Sequence, residues 1–112
     1  MEKKPRVSGS TMIAPEVIET IIKMTAMETD GVSKIPAQLT HQPVRIRINE
    51  EKKIDADVYV RIEYPYNVIH VGKKLQENIN RVISETIGME PGSINIHIED
   101  IDYINNSEKE RS

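Results

Sequence analysis

The fold is decided by residues 55–103, which read DADVYVRIEYPYNVIHVGKKLQENINRVISETIGMEPGSINIHIEDIDY. At the two ends, residues 55–64 and 93–103, apolar and polar side chains alternate, which is the period of a strand with one buried face. Between the ends, apolar residues recur every three or four positions, which is the period of a helix with one buried stripe. The stretch therefore predicts strand, helix and strand, with parallel strands joined by a right-handed crossover.

Local signals mark where this helix begins and ends and where the last strand bends. Asn67 can cap the helix through its side-chain oxygen, and Gly88 can end it in the left-handed conformation. The apolar stripe of the helix consists of Val68, Val71, Leu75, Ile79, Val82, Ile83 and Ile87. In the last strand, Ile101 and Tyr103 break the alternation, which predicts a β-bulge near Asp100.

The residues before this stretch predict a second helix and another strand. Pro15 and Glu16 suit the first turn of a helix, and Gly31 is placed to stop it. We expect its core stripe to contain Val17, Ile18, Ile21, Ile22 and Thr25. The segment VRIRIN, residues 44–49, alternates as a strand does, and the charged NEEKK sequence connects it to the next strand as a hairpin.

The predicted order of elements is α-β-β-α-β. Every strand has one apolar and one polar face, so both helices must cover the same side of one sheet. The fold class is therefore α+β, a two-layer sandwich of two helices on one face of a mixed three- to four-stranded sheet. A short N-terminal edge strand at residues 10–13 would supply the fourth strand. We expect a flexible N-terminus over 1–9, a single domain over 10–104 and a disordered polar tail over 105–112.

Composition excludes several classes of protein. The 112 residues contain no cysteine, so the chain lacks thiolate ligands. Their net charge is -3, so the chain also lacks the basic excess typical of proteins that neutralise nucleic-acid phosphates. No apolar run approaches the ~20 residues that span a bilayer, and the N-terminus has no secretory signal. We expect a cytoplasmic protein without a cofactor, peripheral at the membrane only through a partner.

Three glycine-containing stretches invite functional interpretations. DGVSKIP, residues 30–36, resembles a phosphate-binding loop, but it follows a helix, and phosphates bind at helix N-termini. HVGKK, residues 70–74, places Gly72 inside the second helix, where we expect it to allow close packing on the sheet. IGMEPG, residues 87–92, suggests the loop of K-homology RNA-binding domains, although its glycines are one residue too far apart. RNA binding remains the alternative function.

Candidate catalytic and metal groups are sparse. His97 and Glu99 share a strand face, but a metal site usually needs three or four converging ligands, and the sequence indicates no third. Asp57 and Glu63 lie six residues apart on one strand, about 20 Å, which is too far for acid–base work on one bond. We therefore predict no catalysis, no metal and no small-molecule substrate.

The polar face of the sheet is the most informative surface. Nine side chains are expected on it: Arg45, Arg47, Asp57, Tyr59, Arg61, Glu63, Asn95, His97 and Glu99. One interpretation is a solvated face with cross-strand ion pairs. The other is a docking face for a second copy or a partner, with contacts from Arg45, Arg47, Tyr59, Arg61 and His97, because Arg and Tyr are enriched in binding hot spots. An exposed edge strand offers another route to association.

Four segments, in this order and spacing, resemble the alkaline shock protein family, also called the envelope stress response family of Gram-positive bacteria. They are GSTMIAPEVIETI (9–21), ETDGVSKI (28–35), VYVRIEY (58–64) and NVIHVGKKLQENINRVISETIGMEPGSINIHIEDI (67–101). The resemblance covers roughly residues 7–103. It implies a non-enzymatic cytosolic protein of stress response or envelope maintenance that forms homo-oligomers and acts as a scaffold; some family members are held at the membrane by a separate anchor protein.

This sequence departs from the family pattern in two connections. Residues 33–43 are short where many members carry a longer glycine-rich insert, and EYPYN (63–67) has one proline and two tyrosines where a glycine often follows the tyrosine. The departures leave the expected fold unchanged, but they weaken any inference that the binding surface is shared.

Overall fold

A computed structural model describes residues 10–33 and 43–103 of the chain. In chain order, the elements are α1 (Pro15–Glu28), β1 (Val44–Ile48), β2 (Lys53–Glu63), α2 (Val68–Val82), a π-helical turn (Ile83–Ile87) and β3 (Glu90–Asp102). The predicted α-β-β-α-β order is thus confirmed. The flexible N-terminus and the polar tail predicted for residues 1–9 and 105–112 lie outside the described residues, as does residue 104.

The strands form one mixed sheet in the order β1-β2-β3. β1 and β2 are the antiparallel hairpin predicted from the NEEKK connection, and β2 and β3 are parallel, as the intervening helix requires. Residues 10–14 have no regular secondary structure, so the described part of the sheet has three strands rather than four. Beyond the end of β1, Val32 forms a single bridge to Ile62 on the same side of β2.

The core lies between the sheet and the two helices. From Lys53 to Glu63, every second residue of β2 is buried and every other one is half-exposed. The helix α2 buries most of its predicted stripe, namely Val71, Leu75, Ile79, and then Ile83 and Ile87 in the π-helical turn. The helix α1 differs from its prediction, since it buries Ile18, Ile22 and Ala26 while Val17 is 48% exposed.

The predicted start and stop signals of α2 are confirmed, whereas α1 ends at Glu28 with Thr29 as an extended cap, two residues before Gly31. The side chain of Asn67 accepts a hydrogen bond from the His70 amide at 2.9 Å. Gly88 ends the π-helical turn with φ 82°, and its amide donates to the carbonyl of Ile83. The predicted bulge is present in β3, where the register moves from Val60–Ile98 to Arg61–Asp100 and leaves Glu99 as the extra residue.

Two glycines differ in what they contribute. Gly31 lies beyond the end of α1 with φ 95°, and a Cβ there would be 2.7 Å from Val71 Cγ2 and 2.9 Å from Tyr66 Cδ2. At Gly72, inside α2, a Cβ would be 3.9 Å from Ile98 Cδ1, an ordinary contact. The expectation that close packing requires glycine at position 72 is therefore wrong, whereas Gly31 is required by both its conformation and its neighbours.

Alanine substitutions at these glycines should change stability in opposite directions. Gly31→Ala should lower the free energy of unfolding by about 2 kcal/mol, because it combines a left-handed backbone with overpacking against Tyr66 and Val71. Gly72→Ala should raise it by up to about 1 kcal/mol, because alanine is favoured in helix interiors. Urea unfolding followed by circular dichroism measures both, and equal stabilities of the two variants would contradict the expectation.

Candidate interaction surface

The sheet register brings the predicted surface residues together on the face opposite the helices. In the backbone register, Arg45 of β1 lies opposite Asp57 of β2, and Tyr59 of β2 lies opposite His97 of β3. We call this side of the sheet the open face. It contains all five predicted contact residues: Arg45, Arg47, Tyr59, Arg61 and His97. The covering of only one side of the sheet follows from the polar alternation of β2, which leaves no second apolar side for a helix to bury.

The centre of the open face is a contact between an aromatic ring, an imidazole and a carboxylate. The rings of Tyr59 and His97 stack with centroids 4.4 Å apart and an interplanar angle of 14°. The Nε2 atom of His97 lies 2.9 Å from Asp57 Oδ1, which also accepts a 3.4 Å hydrogen bond from Asn95. Both Asp57 and His97 remain more than 40% exposed, so their polar atoms can still reach a ligand.

One end of the open face is held by Asp55. Its carboxylate accepts hydrogen bonds from the Ser93 amide at 2.9 Å, from Arg47 at 3.1 Å and from Asn49 at 3.2 Å. The Ser93 amide lowers the pKa of Asp55 most, and the charge of Arg47 lowers it further. Gly92 makes room for this carboxylate, because a Cβ there would lie 2.2 Å from Asp55 Oδ1.

The other end is held by the carboxylate of Asp102, which is only 9% exposed. Arg61 donates to it from Nε at 2.9 Å and from Nη2, and Ser33 donates from its hydroxyl at 2.6 Å. Hydrogen bonds from Arg61 and then Ser33 lower the pKa of Asp102. The hydrogen bond with Asp102 in turn raises the pKa of Arg61. Asp100 lies 3.7 Å from the guanidinium and is 60% exposed.

Sequence reasoning placed the five candidate contact residues on the open face but missed two residues that shape it, Ser33 and Asp102. The alternation of β2 also places Asp55 on this face, but nothing in the sequence indicated its contacts. Asp102 reaches the face only because the extra residue Glu99 inverts the alternation, so that Asp102 lies beside Glu63 in the register. Arg61 was predicted as a contact residue, and its guanidinium is engaged within the fold.

The open face offers charged and aromatic groups rather than a reaction centre. A shallow depression is lined by Arg45, Ile46, Arg47, Asp55, Asp57, Ser93 and Asn95. Residues 10–33 and 43–103 contain no group of three or more His, Asp or Glu side chains that could hold a metal ion. Within the same residues, Arg45 is exposed and forms no ion pair.

The stretch that suggested a K-homology loop has a different structure. Gly88 ends a helix and Gly92 lies within β3, so only Gly88 and Met89 separate the two elements. A strand follows where that class of RNA-binding domain would need a second helix, and Gly92 serves the contact with Asp55. DGVSKIP likewise buries Gly31 and Val32 against the core, while its last three residues lie outside the described part.

Comparison with known proteins places this fold and sequence in a family. The family model for the alkaline shock protein 23 family, which is described as having a cell envelope-related function, matches residues 3–103. The chain belongs to this family. The match extends over α1, the sheet and α2 together, so the whole described unit is the family's domain, and the resemblance inferred from the four sequence segments is confirmed.

Two relatives of this alkaline shock family chain are uncharacterized bacterial proteins. The uncharacterized protein YqhY of Bacillus subtilis is 31% identical over 106 residues, which cover 85% of this chain and 78% of YqhY. The uncharacterized protein Spy1535 of Streptococcus pyogenes is 22% identical over 102 residues, which cover 83% of this chain and 79% of Spy1535.

Solved structures of similar fold include the C-terminal domain (CTD) of MamM. Its D249A variant aligns with a TM-score of 0.58 at 17% identity and covers 78% of this chain and 98% of that chain. A cadmium form of its D249E variant gives a TM-score of 0.59 at 16% identity, covering 80% of this chain and all of that chain. At this identity the likeness concerns the fold alone.

None of the described helices has the length and apolar composition that a membrane span requires.

The contact between Asp102 and Arg61 should make the free energy of unfolding depend on pH in the acidic range. Because the pKa of Asp102 is lower in the folded than in the unfolded chain, the protein should lose stability as pH falls below about 4. Asp102→Asn should cost about 1–3 kcal/mol at pH 7 and should weaken that dependence on pH. Urea unfolding between pH 7 and pH 2 measures both effects.

Asp100→Asn is the matched control, because Asp100 also faces Arg61 but is mostly exposed. Its cost at pH 7 should stay below about 1 kcal/mol. An equal loss of stability in the two variants would mean that the buried geometry of Asp102 is not what makes its contact with Arg61 stabilising.

Proposed function

We propose that this protein is a non-enzymatic envelope or alkaline stress response module that self-associates and acts as a scaffold. In this proposal it is cytoplasmic and is held at the inner face of the membrane by docking to a membrane-linked partner. The cell envelope-related function of the family supports the setting. The single observation that carries the mechanism is that no described helix covers the open face. On this face, Arg45 has no ion pair among the described residues.

Some polar groups of the open face are engaged within the fold and others stay exposed, which favours docking over solvation alone. Asp55 and Asp102 are bound to arginines and backbone or hydroxyl donors inside the fold, so they keep the face rigid. Arg45 and His97 remain exposed, and a rigid sheet face loses little backbone entropy on binding. An acidic segment of the partner fits this pattern.

Charge reversal on the open face should weaken docking without unfolding the protein. Arg45→Glu should reduce capture of a membrane-linked partner from detergent-solubilised host membranes by about tenfold or more, because it replaces attraction by repulsion. Lys73→Glu is the matched control, since it makes the same charge change on α2, in the opposite layer. Arg47→Glu is a less clean variant, because its new carboxylate would face Asp55.

Equal capture by the wild type and by Arg45→Glu would contradict the role of the open face. Loss of capture with Lys73→Glu as well would indicate an effect of net charge rather than of a specific surface. Circular dichroism of each variant establishes that the fold is intact.

Solution measurements separate the scaffold from the RNA-binding alternative. Light scattering should show an apparent mass that rises with protein concentration, and a strict monomer at high concentration would contradict self-association. Fluorescence anisotropy with single-stranded RNA should show weak binding over a salt series. Tight binding that falls steeply with salt would favour RNA binding instead, because phosphate contacts release counterions.

A further inference from the structure

The outer edge of β3 contains a short regular window between two irregularities. The register of β2 and β3 shifts between Ile54 and Ala56 and again between Val60 and Arg61. Between these shifts, the five residues from Ile94 to Ile98 pair without interruption. Pro91 lies before the window and the extra residue Glu99 after it, and both kinds of feature limit the pairing of a strand edge.

The backbone groups that point outward from this window belong to its three isoleucines. In a parallel pair, alternate residues direct their amide and carbonyl toward the neighbouring strand. Ile94 shows its outward orientation, because its carbonyl accepts a 3.1 Å hydrogen bond from Gln76 of α2 rather than from β2. In residues 10–33 and 43–103, no hydrogen bond reaches the outward groups of Ile96 and Ile98. Their side chains are only partly buried against the core.

We infer that β3 pairs antiparallel with β3 of a second copy about a two-fold axis through Ile96. This register matches the regular window to itself, with Ile94 opposite Ile98 of the second copy and Asn95 opposite its His97. The outward amides and carbonyls of Ile96 and Ile98 then meet partners, the Ile94 carbonyl accepts a second hydrogen bond beside the one from Gln76, and the partly buried side chains of Ile96 meet one another. The inference rests on the proposed self-association and identifies the surface that provides it.

The free edge of β1 is a poorer site for the same contact. Antiparallel pairing of β1 with itself about Ile46 sets Arg45 against Arg47 of the other copy twice, and like charges directly opposite are destabilising. Antiparallel pairing of β1 with β3 that sets Ile46 opposite Ile96 places Arg45 against His97. The β3 pair sets the Asn95 amide against the His97 imidazole of the second copy. It also closes as a two-fold dimer, which is the commonest symmetry of homo-oligomers.

The two-fold arrangement has a functional consequence for the open face. An antiparallel edge pair places its axis perpendicular to the sheet, so the two open faces lie on the same side of a continuous six-stranded sheet. All four helices lie on the other side. The dimer therefore offers two copies of the surface around Arg45 to one membrane, and two-point binding raises the overall affinity without new contacts.

Cysteine cross-linking tests the register directly, because the natural chain contains no cysteine. Asn95→Cys and His97→Cys proteins of different tag length, mixed and oxidised, should give a covalent heterodimer, since residues of a non-hydrogen-bonded pair lie about 4.5 Å apart between Cα atoms. A mixture of His97→Cys with Arg45→Cys tests pairing of β3 with β1, and Arg45→Cys with Arg47→Cys tests β1 with itself. A product in either of these, without one in the first mixture, would overturn the inference.

A second variant does not depend on disulfide geometry. Ile96→Lys should weaken dimerisation by about tenfold or more in sedimentation equilibrium, because it places a charge beside the two-fold axis. Ile46→Lys, at the partly buried isoleucine of β1, should leave dimerisation unchanged. Circular dichroism checks the fold of both variants. Unchanged dimerisation of a folded Ile96→Lys protein overturns the β3 contact but leaves self-association standing, whereas a monomeric wild type overturns both.

Discussion

The pleat of β2 determines which side of the sheet the helices cover. Because successive side chains of a strand point to opposite faces, residues 53–63 bury their even-numbered side chains and leave the odd-numbered ones half-exposed. As the central strand, β2 imposes its faces on β1 and β3 through their register. Both helices must then lie on one side, and the charged and aromatic side chains of the other side become a surface.

Period-two and helical patterns were sufficient to predict the fold class, the parallel pair and the helix ends at Asn67 and Gly88. They failed for α1, where Val17 is exposed although helical spacing predicts it in the core stripe. This helix has isoleucine, valine and methionine on more than one side, so its periodicity does not distinguish the buried face. It lies over the edge strand β1, whose Ile46 is itself only partly buried.

The candidate surface was predictable in membership but not in chemistry. Alternation placed Arg61 on the open face, but the environment of its guanidinium depends on Asp102, a residue 41 positions away. One extra residue, Glu99, decides whether that carboxylate faces the core or the arginine. The sequence indicated an irregularity near Asp100. Only the register shows that this irregularity brings Asp102 to Arg61, so that the predicted contact residue Arg61 is engaged within the fold. Gly92 is a similar case, because its need for glycine comes from the carboxylate of Asp55.

The same irregularities that build the open face also shape the edge of the sheet. The bulge at Glu99 brings Asp102 beneath Arg61 and ends the regular window of β3, so rigidity of the face and length of the free edge are set by one feature. Docking and self-association can therefore use different surfaces of the same strand without competing. A partner bound on the open face approaches perpendicular to the sheet, whereas a second copy at Ile96 approaches within its plane, so each contact leaves the other accessible.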